Sequence, residues 1–291
     1  MFAAWIALVP CLSLGLAPSL RDPADPPAPQ APPALPPDAK VIVKYPDDPR
    51  LDQALVMMAQ GEFEVASVAC RTVLNQHPDV DRAAMLLGLA LSKSKRYEEA
   101  RPLLERARDS KQQFPERMHA AHFLGWACFH LGELECAKAS FEAHLKAVPK
   151  EPDSTFGLGL VALAEDRLDD AARAFDESLA GFTAPKPRPA DQARVLVRMA
   201  DLALRNGDAP RAEALLERAV RANPVQPEAW SKLARVYDRL EKPAKADAAR
   251  ANEQRILESM GRREAAKPPA SPPDAPAQAP QGGDAAKDAK P

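Results

Sequence analysis

The stretch Leu124-Gly125-Trp126-Ala127-Cys128-Phe129-His130-Leu131-Gly132-Glu133-Leu134-Glu135-Cys136-Ala137-Lys138-Ala139-Ser140-Phe141 decides the fold. Two small residues, Gly125 and Ala137, stand on either side of Gly132. Large apolar residues, Leu124 and Phe141, flank them. Two helices that meet at Gly125 and Ala137 can approach closely because no bulk separates them. Gly132 supplies the left-handed, helix-ending turn between them. The stretch therefore reads as a helix–turn–helix hairpin, with Pro149 stopping its second helix.

The same constellation recurs on both sides. Leu87-Gly88 is followed by Tyr97, Ala100, Leu104 and Ala107, and Leu158-Gly159 by Leu168, Ala171 and Phe175. Met199-Ala200 leads to Gly207, Ala212, Leu216 and Ala219, and Leu233-Ala234 to Tyr237 and Ala246. An earlier unit has Ala54, Gly61, Phe63, Ala66 and Cys70. Pro78 and Pro224 close second helices as Pro149 does. Neighbouring units repeat at about 34 residues, with extra residues around Gln112 to Pro115 and Ala184 to Pro189 that are expected to be loops.

This pattern of a large residue, Leu-Gly or equivalent, an aromatic, a turn glycine, alanine, a second aromatic and a closing proline resembles the tetratricopeptide repeat (TPR) family. The resemblance implies an all-α, right-handed superhelix, an α-solenoid of about six helix–turn–helix units, with almost no room for strands. It covers residues 46–262. The final helix, from about Pro243 to Met260, carries Lys245, Asp247, Arg250, Glu253 and Arg255 and reads as a polar cap on the stack.

The ends differ in composition from this middle. Most of the 31 prolines lie in residues 21–49 and 267–291. Residues 1–20 open on an apolar run with no charge before Arg21, which reads as a secretory signal. An uncleaved membrane anchor and a lipid-attached Cys11 stand as alternatives. Residues 21–45 read as a proline-rich disordered linker, within which Arg21 to Asp38 cannot form helix or sheet. Residues 263–291 lack the apolar side chains to offset chain entropy and are expected to be a disordered tail. A net charge of −2, with 39 basic and 41 acidic residues, offers no field for a polyanion, so nucleic acid is not an expected partner. Contact with a membrane is expected only through the N-terminal segment.

In the family, ligands lie on the concave face lined by the first helix of each unit. Carried over position by position, that face comprises His119, His122, Trp126, Phe129 and His130, then Asp153, Phe156, Leu160 and Leu163. Arg194, Val197, Asp201, Arg205, Arg235 and Arg239 flank it on one side, and Arg82, Met85, Leu89 and Lys93 on the other. The resemblance thus implies an apolar, aromatic binding surface with a charged rim. The plainer alternative is that Phe129 and Leu163 fill the interior. The family's carboxylate-gripping arrangement is half present: Arg194 and Arg198 match its basic pair, whereas Trp126 and Gly157 occupy its asparagine positions.

No nucleophile elbow, phosphate loop, dinucleotide fingerprint or zinc-protease helix occurs, so catalysis is not expected. Glu98, Glu99, Asp169 and Asp170 suit the starts of second helices and need no catalytic explanation. His119 and His122 share a helix face, but His130 lies more than two turns on and no carboxylate accompanies them on that face. They read as solvated or groove-lining histidines, and no metal or cofactor is expected. Cys128 and Cys136 straddle Gly132 symmetrically, which in an antiparallel hairpin brings them near each other. They either form a disulfide, as in exported helical repeats of the related Sel1 type, or pack as buried thiols like Cys70. The expected function is that of an exported, periplasmic or envelope-associated scaffold binding a protein or peptide partner. A membrane-anchored structural scaffold and a helper subunit of an enzyme complex are the alternatives.

Overall fold

The computed structural model describes residues 43–44, 48–183 and 185–265. The expected signal, most of the proline-rich linker, and the tail beyond Ala265 lie outside them. The described residues form two compact units, divided between Gly181 and Phe182.

The first unit runs through α1 (Pro49–Ala59), α2 (Phe63–Gln76), α3 (Asp81–Lys93), α4 (Tyr97–Asp109), α5 (Ala120–His130), α6 (Leu134–Ala147), α7 (Pro152–Ala164) and most of α8 (Leu168–Thr183). The second contains α9 (Pro189–Arg205), α10 (Ala209–Ala222), α11 (Pro227–Arg239) and α12 (Pro243–Ala265). Within each unit consecutive helices pack into a stack of hairpins, and in the first the alternate helices α1, α3, α5 and α7 also touch in sequence.

The hairpin turns share one hydrogen-bond motif. The amides of Glu62, Arg96, Glu133, Arg167, Asp208 and Lys242 each donate to the carbonyl five residues back, at Met57, Leu91, Cys128, Ala162, Ala203 and Tyr237. This 6→1 closure satisfies a carbonyl at the helix end and requires a left-handed residue just before the donor. Gly61, Gly132 and Gly207 fill that position with φ of 84°, 77° and 77°. In the other three turns Lys95, Asp166 and Glu241 adopt it with φ of 62°, 58° and 56°. Closing each turn therefore imposes left-handed backbone even where the side chain disfavours it.

Prolines serve the starts of helices as well as the ends. Pro49, Pro152, Pro189, Pro227 and Pro243 open α1, α7, α9, α11 and α12, where a missing amide proton costs no hydrogen bond. Asp48 and Glu151 cap α1 and α7 by accepting from Arg50 N and from Asp153 and Ser154 N.

The interior is built from small residues against rings. Ala54, Ala66, Ala100, Ala137, Ala171, Ala200, Ala212, Ala234 and Ala246, the residues expected at close helix contacts, are all buried. A Cβ on Gly125 would lie 2.6 Å from the Phe141 ring, and one on Gly157 would lie 2.5 Å from the opposite edge of the same ring. A Cβ on Gly159 would likewise meet Phe175 at 2.5 Å.

Three departures from the expectations concern α3 and the segment after α4. The inserted segment after α4 is not wholly loop: Gln112–Gln113 (β2) pairs in parallel with Val43–Lys44 (β1). Gln112 also accepts from Asp81 N and donates to the Asp79 carbonyl, tying the insertion to the start of α3. Arg82, expected on the binding face, is buried, with its guanidinium donating to Asp52 at 2.6 Å and to Glu116 at 2.9 and 3.1 Å. These partners hold Arg82 firmly charged against the cost of burial. Met85, four residues back from Leu89 on the same helix, is fully buried rather than groove-lining.

Replacing Gly125 with alanine should lower stability by about 1–3 kcal/mol, because Phe141 must move. Glu241→Gly should raise stability by about 1 kcal/mol by relieving the left-handed turn. Urea unfolding of both variants alongside the parent checks the opposite signs.

Candidate functional site

The first helices α5 and α7 differ from an ordinary surface helix in composition. Ala120–His130 and Pro152–Ala164 carry apolar residues around their whole circumference. A helix of that kind is expected to be covered on all sides. Leu124, Gly125, Cys128, Phe156 and Val161 are indeed buried, but Phe123, Trp126, Phe129, Leu158, Leu160 and Leu163 remain partly exposed.

Trp126 is the centre of this surface. Its indole meets Phe141 edge-on at 5.3 Å between centroids, Phe129 edge-on at 6.1 Å and Phe156 at 6.2 Å. Edge-to-face pairs of this kind fix ring orientation beyond the area they bury. His130 is exposed and stacks on Tyr97 at 4.4 Å, away from the other histidines. Partial desolvation of the ring, with Lys95 nearby, pushes the His130 imidazole below its ordinary range. Phe156 is not part of the exposed surface. Only 4% of it is accessible, because it packs beneath Trp126 and against Phe175 on α8.

Behind this surface lies a polar cluster absent from the sequence expectation. His144 of α6 is 1% exposed and Ser154 of α7 is fully buried. The Ser154 hydroxyl is 2.8 Å from Nδ1 of both His122 and His144. Nε2 of His144 is 3.2 Å from Nδ1 of His119, and Nε2 of His122 is 3.5 Å from Asp153. The carboxylate sets the direction of donation. His122 Nε2–H faces Asp153, so its Nδ1 accepts from Ser154 O–H; Ser154 then accepts from His144 Nδ1–H, and His144 Nε2 accepts from His119 Nδ1–H. Each group is satisfied with all three imidazoles neutral. Burial, and after it the adjacent His122 and His119 rings, push His144 down to about 4, in keeping with that state. His119 is also lowered, chiefly by burial.

The carboxylate thought to be missing from the histidine face is therefore supplied by α7 and its cap. His122, His144 and Glu151 place one potential ligand atom each within 4.8 Å of one another. His144 was the residue the sequence reading missed. Its signal was its spacing, three residues beyond Phe141 and so on the same buried helix face.

Cys128 and Cys136 are joined in a disulfide across the α5–α6 turn, with Cα atoms 5.8 Å apart. Cys70 is a buried free thiol, and its burial pushes it up to about 12, which leaves it unreactive near neutrality.

In the second unit Arg205 and Arg235 are exposed on α9 and α11, whereas Arg194 is partly buried and pairs with Asp191 at 3.3 Å. Val197 is fully buried instead of facing a ligand. Arg198, expected to help grip a carboxylate, is engaged by Asp201 and Glu228, and Lys232 reaches the same Asp201 at 2.6 Å.

Family models described as tetratricopeptide repeat match residues 57–122, and 134–187 together with 197–258. The chain belongs to the tetratricopeptide repeat family. Solved structures share the fold at low identity. The APC/C hetero-tetramer Cut9-Hcn1 is 14% identical with a TM-score of 0.62, covering 71% of this chain and 39% of that one. This chain thus spans about two fifths of that structure's chain. PilF of Pseudomonas aeruginosa is 18% identical with a TM-score of 0.56, over 75% of this chain and 96% of that one. BtubC from P. vanneervenii is 18% identical with a TM-score of 0.53, over 79% and 97%. The search of curated proteins returns no match. Tetratricopeptide arrays are protein–protein interaction scaffolds, and the repeats place this chain in that class. Among the described residues no helix is long and apolar enough to cross a membrane.

Alkylating the intact protein under denaturing conditions should leave Cys128 and Cys136 unmodified until a reductant is added, as read by mass. Reduction should then lower the unfolding free energy by about 2 kcal/mol, the scale expected for closing so short a loop.

Proposed function

We propose that this tetratricopeptide protein is a non-catalytic adaptor, working outside the cytoplasm, that binds an apolar peptide segment of a protein partner on the first-helix face of its first unit. The observation that carries the reading is the partly exposed apolar surface of Trp126, Phe129 and Leu160 on α5 and α7. Both helices have the composition of fully buried elements, so a segment laid across them completes a burial that the described residues leave partial. Trp126 is the natural anchor, because an aromatic held by neighbouring rings loses little further entropy on binding. His130 edges this surface, while His119 and His122 lie behind it as supports rather than contacts. Taken by itself, the second unit exposes Arg235 on α11 and is proposed to contact acidic residues of a partner protein.

The proposed location outside the cytoplasm is supported by the Cys128–Cys136 bond, since such bridges persist in oxidising compartments. The uncharged apolar run before Arg21 is consistent with it.

Selection of random peptides displayed on phage against the full chain should enrich segments with two or more apolar or aromatic residues. Trp126→Ala should weaken the best of them by roughly 30-fold or more, the scale of a binding hot spot, while Trp230→Ala leaves them unchanged. Equal binding by the parent and Trp126→Ala, with both helical by circular dichroism, would remove this face as the site.

A further inference from the structure

We propose that His122, His144 and Glu151 form a binding site for one zinc-class divalent transition-metal ion. The three residues come from α5, α6 and the cap of α7, and their potential ligand atoms lie within 4.8 Å of one another. Nδ1 of His122 and Nδ1 of His144 both face the Ser154 hydroxyl at 2.8 Å, and an ion bound between them takes the place of that hydroxyl, which rotates aside.

The outward atom of every ligand is already held by the protein. His122 turns Nε2 toward Asp153 at 3.5 Å, and His144 turns Nε2 toward Nδ1 of His119 at 3.2 Å. Glu151 commits Oε2 to the amides of Asp153 and Ser154, at 2.8 and 2.9 Å, which leaves Oε1 for an ion. Partners in these places fix ring orientation and raise ligand basicity, which is how metal-binding histidines are ordinarily supported. The tautomers adjust without net loss of protons. With an ion on its Nδ1, His144 carries its proton on Nε2 and donates to His119, which moves its own proton to its other ring nitrogen.

Ligand chemistry selects the ion. Two imidazoles with one carboxylate suit zinc and its first-row neighbours and are a poor set for magnesium or calcium, which favour oxygen-only shells. A tetrahedral zinc ion with bonds of about 2.0–2.1 Å draws its donors to roughly 3.4 Å apart, a contraction within reach of side-chain rotations of two imidazoles and a glutamate. A buried imidazole seeking only a hydrogen bond would be satisfied by Ser154 alone. Two rings and one carboxylate from three helices are gathered here, with a third ring and a second carboxylate behind them as support. The other cluster of potential ligands, Cys128, Glu133 and Cys136, has its thiols consumed by the disulfide.

The test uses the full chain with its disulfide intact, stripped with chelator and titrated with Zn²⁺ against a chromophoric competitor. Cobalt substitution gives a second readout through the visible absorption of four-coordinate Co²⁺. The expected result is one equivalent bound per chain, with a rise in Tm. His122→Gln and Glu151→Gln should each weaken binding more than about tenfold, and Asp153→Asn by about tenfold, while His130→Ala leaves it unchanged. If His144→Gln fails to fold, the partly exposed His122 still decides the outcome. Absence of binding at micromolar Zn²⁺, or equal binding by the parent, His122→Gln and Glu151→Gln, would overturn the site and leave the cluster as a hydrogen-bond network only.

Discussion

The ring of Phe141 occupies space that a side chain on either Gly125 or Gly157 would need. Because α6 inserts that ring between two glycines, α5 and α7 both approach it without an intervening Cβ, and the three helices are held at one separation. Everything in the candidate site follows from this spacing. Trp126, the neighbour of Gly125, packs its indole edge-on against the same ring. His144 lies one turn beyond Phe141, and Ser154 lies one turn before Gly157, so the contact that seats the ring also brings imidazole to hydroxyl. Interiors packed at crystal-like density transmit such constraints directly. A change at Gly125 or Gly157 would disturb the polar cluster as surely as a change within it.

The two units solve the stacking problem with different chemistry. In the first, rings fill glycine slots and a chain of imidazoles is buried among them. In the second, α9, α10 and α11 are strongly amphipathic, with alanines at the contacts and charges outside. Arg198, Asp201, Glu228 and Lys232 form one linked set there, and Lys242 and Lys245 meet Glu213. Partly exposed pairs of this sort contribute modestly each, and they also set register between the helices. The buried Arg82 is a different case, since its partners Asp52 and Glu116 belong to separate segments and remove the need for water around its guanidinium. Losing both partners would leave its charge uncompensated in the interior.

Much of this was legible in the residues. Alternation of small and large apolar positions at a steady period indicated hairpins, and Gly61, Gly132 and Gly207 marked three turns because glycine advertises a left-handed backbone. Lys95, Asp166 and Glu241 gave no such signal, although their turns close with the same hydrogen bond. Family position suggested that Arg82, Met85, Phe156 and Val197 face a ligand, yet all four are buried. A position within a repeat specifies which way a Cβ points on an ideal helix. It does not specify whether a neighbouring ring, an inserted segment or an acidic side chain has closed that direction off.

By itself the sequence determined the class of structure, the helix pairs, the sites of closest helix approach and the proximity of Cys128 to Cys136, because each depends on residues within one hairpin and on local backbone preference. Tertiary structure alone decided that His144 meets His119, His122 and Ser154, that Asp153 and Glu151 accompany them, and that Trp126 stays partly open while Phe156 beneath it does not. Those outcomes join side chains from three helices. They depend on interhelical distances and on side-chain rotamers, which no single hairpin's pattern contains.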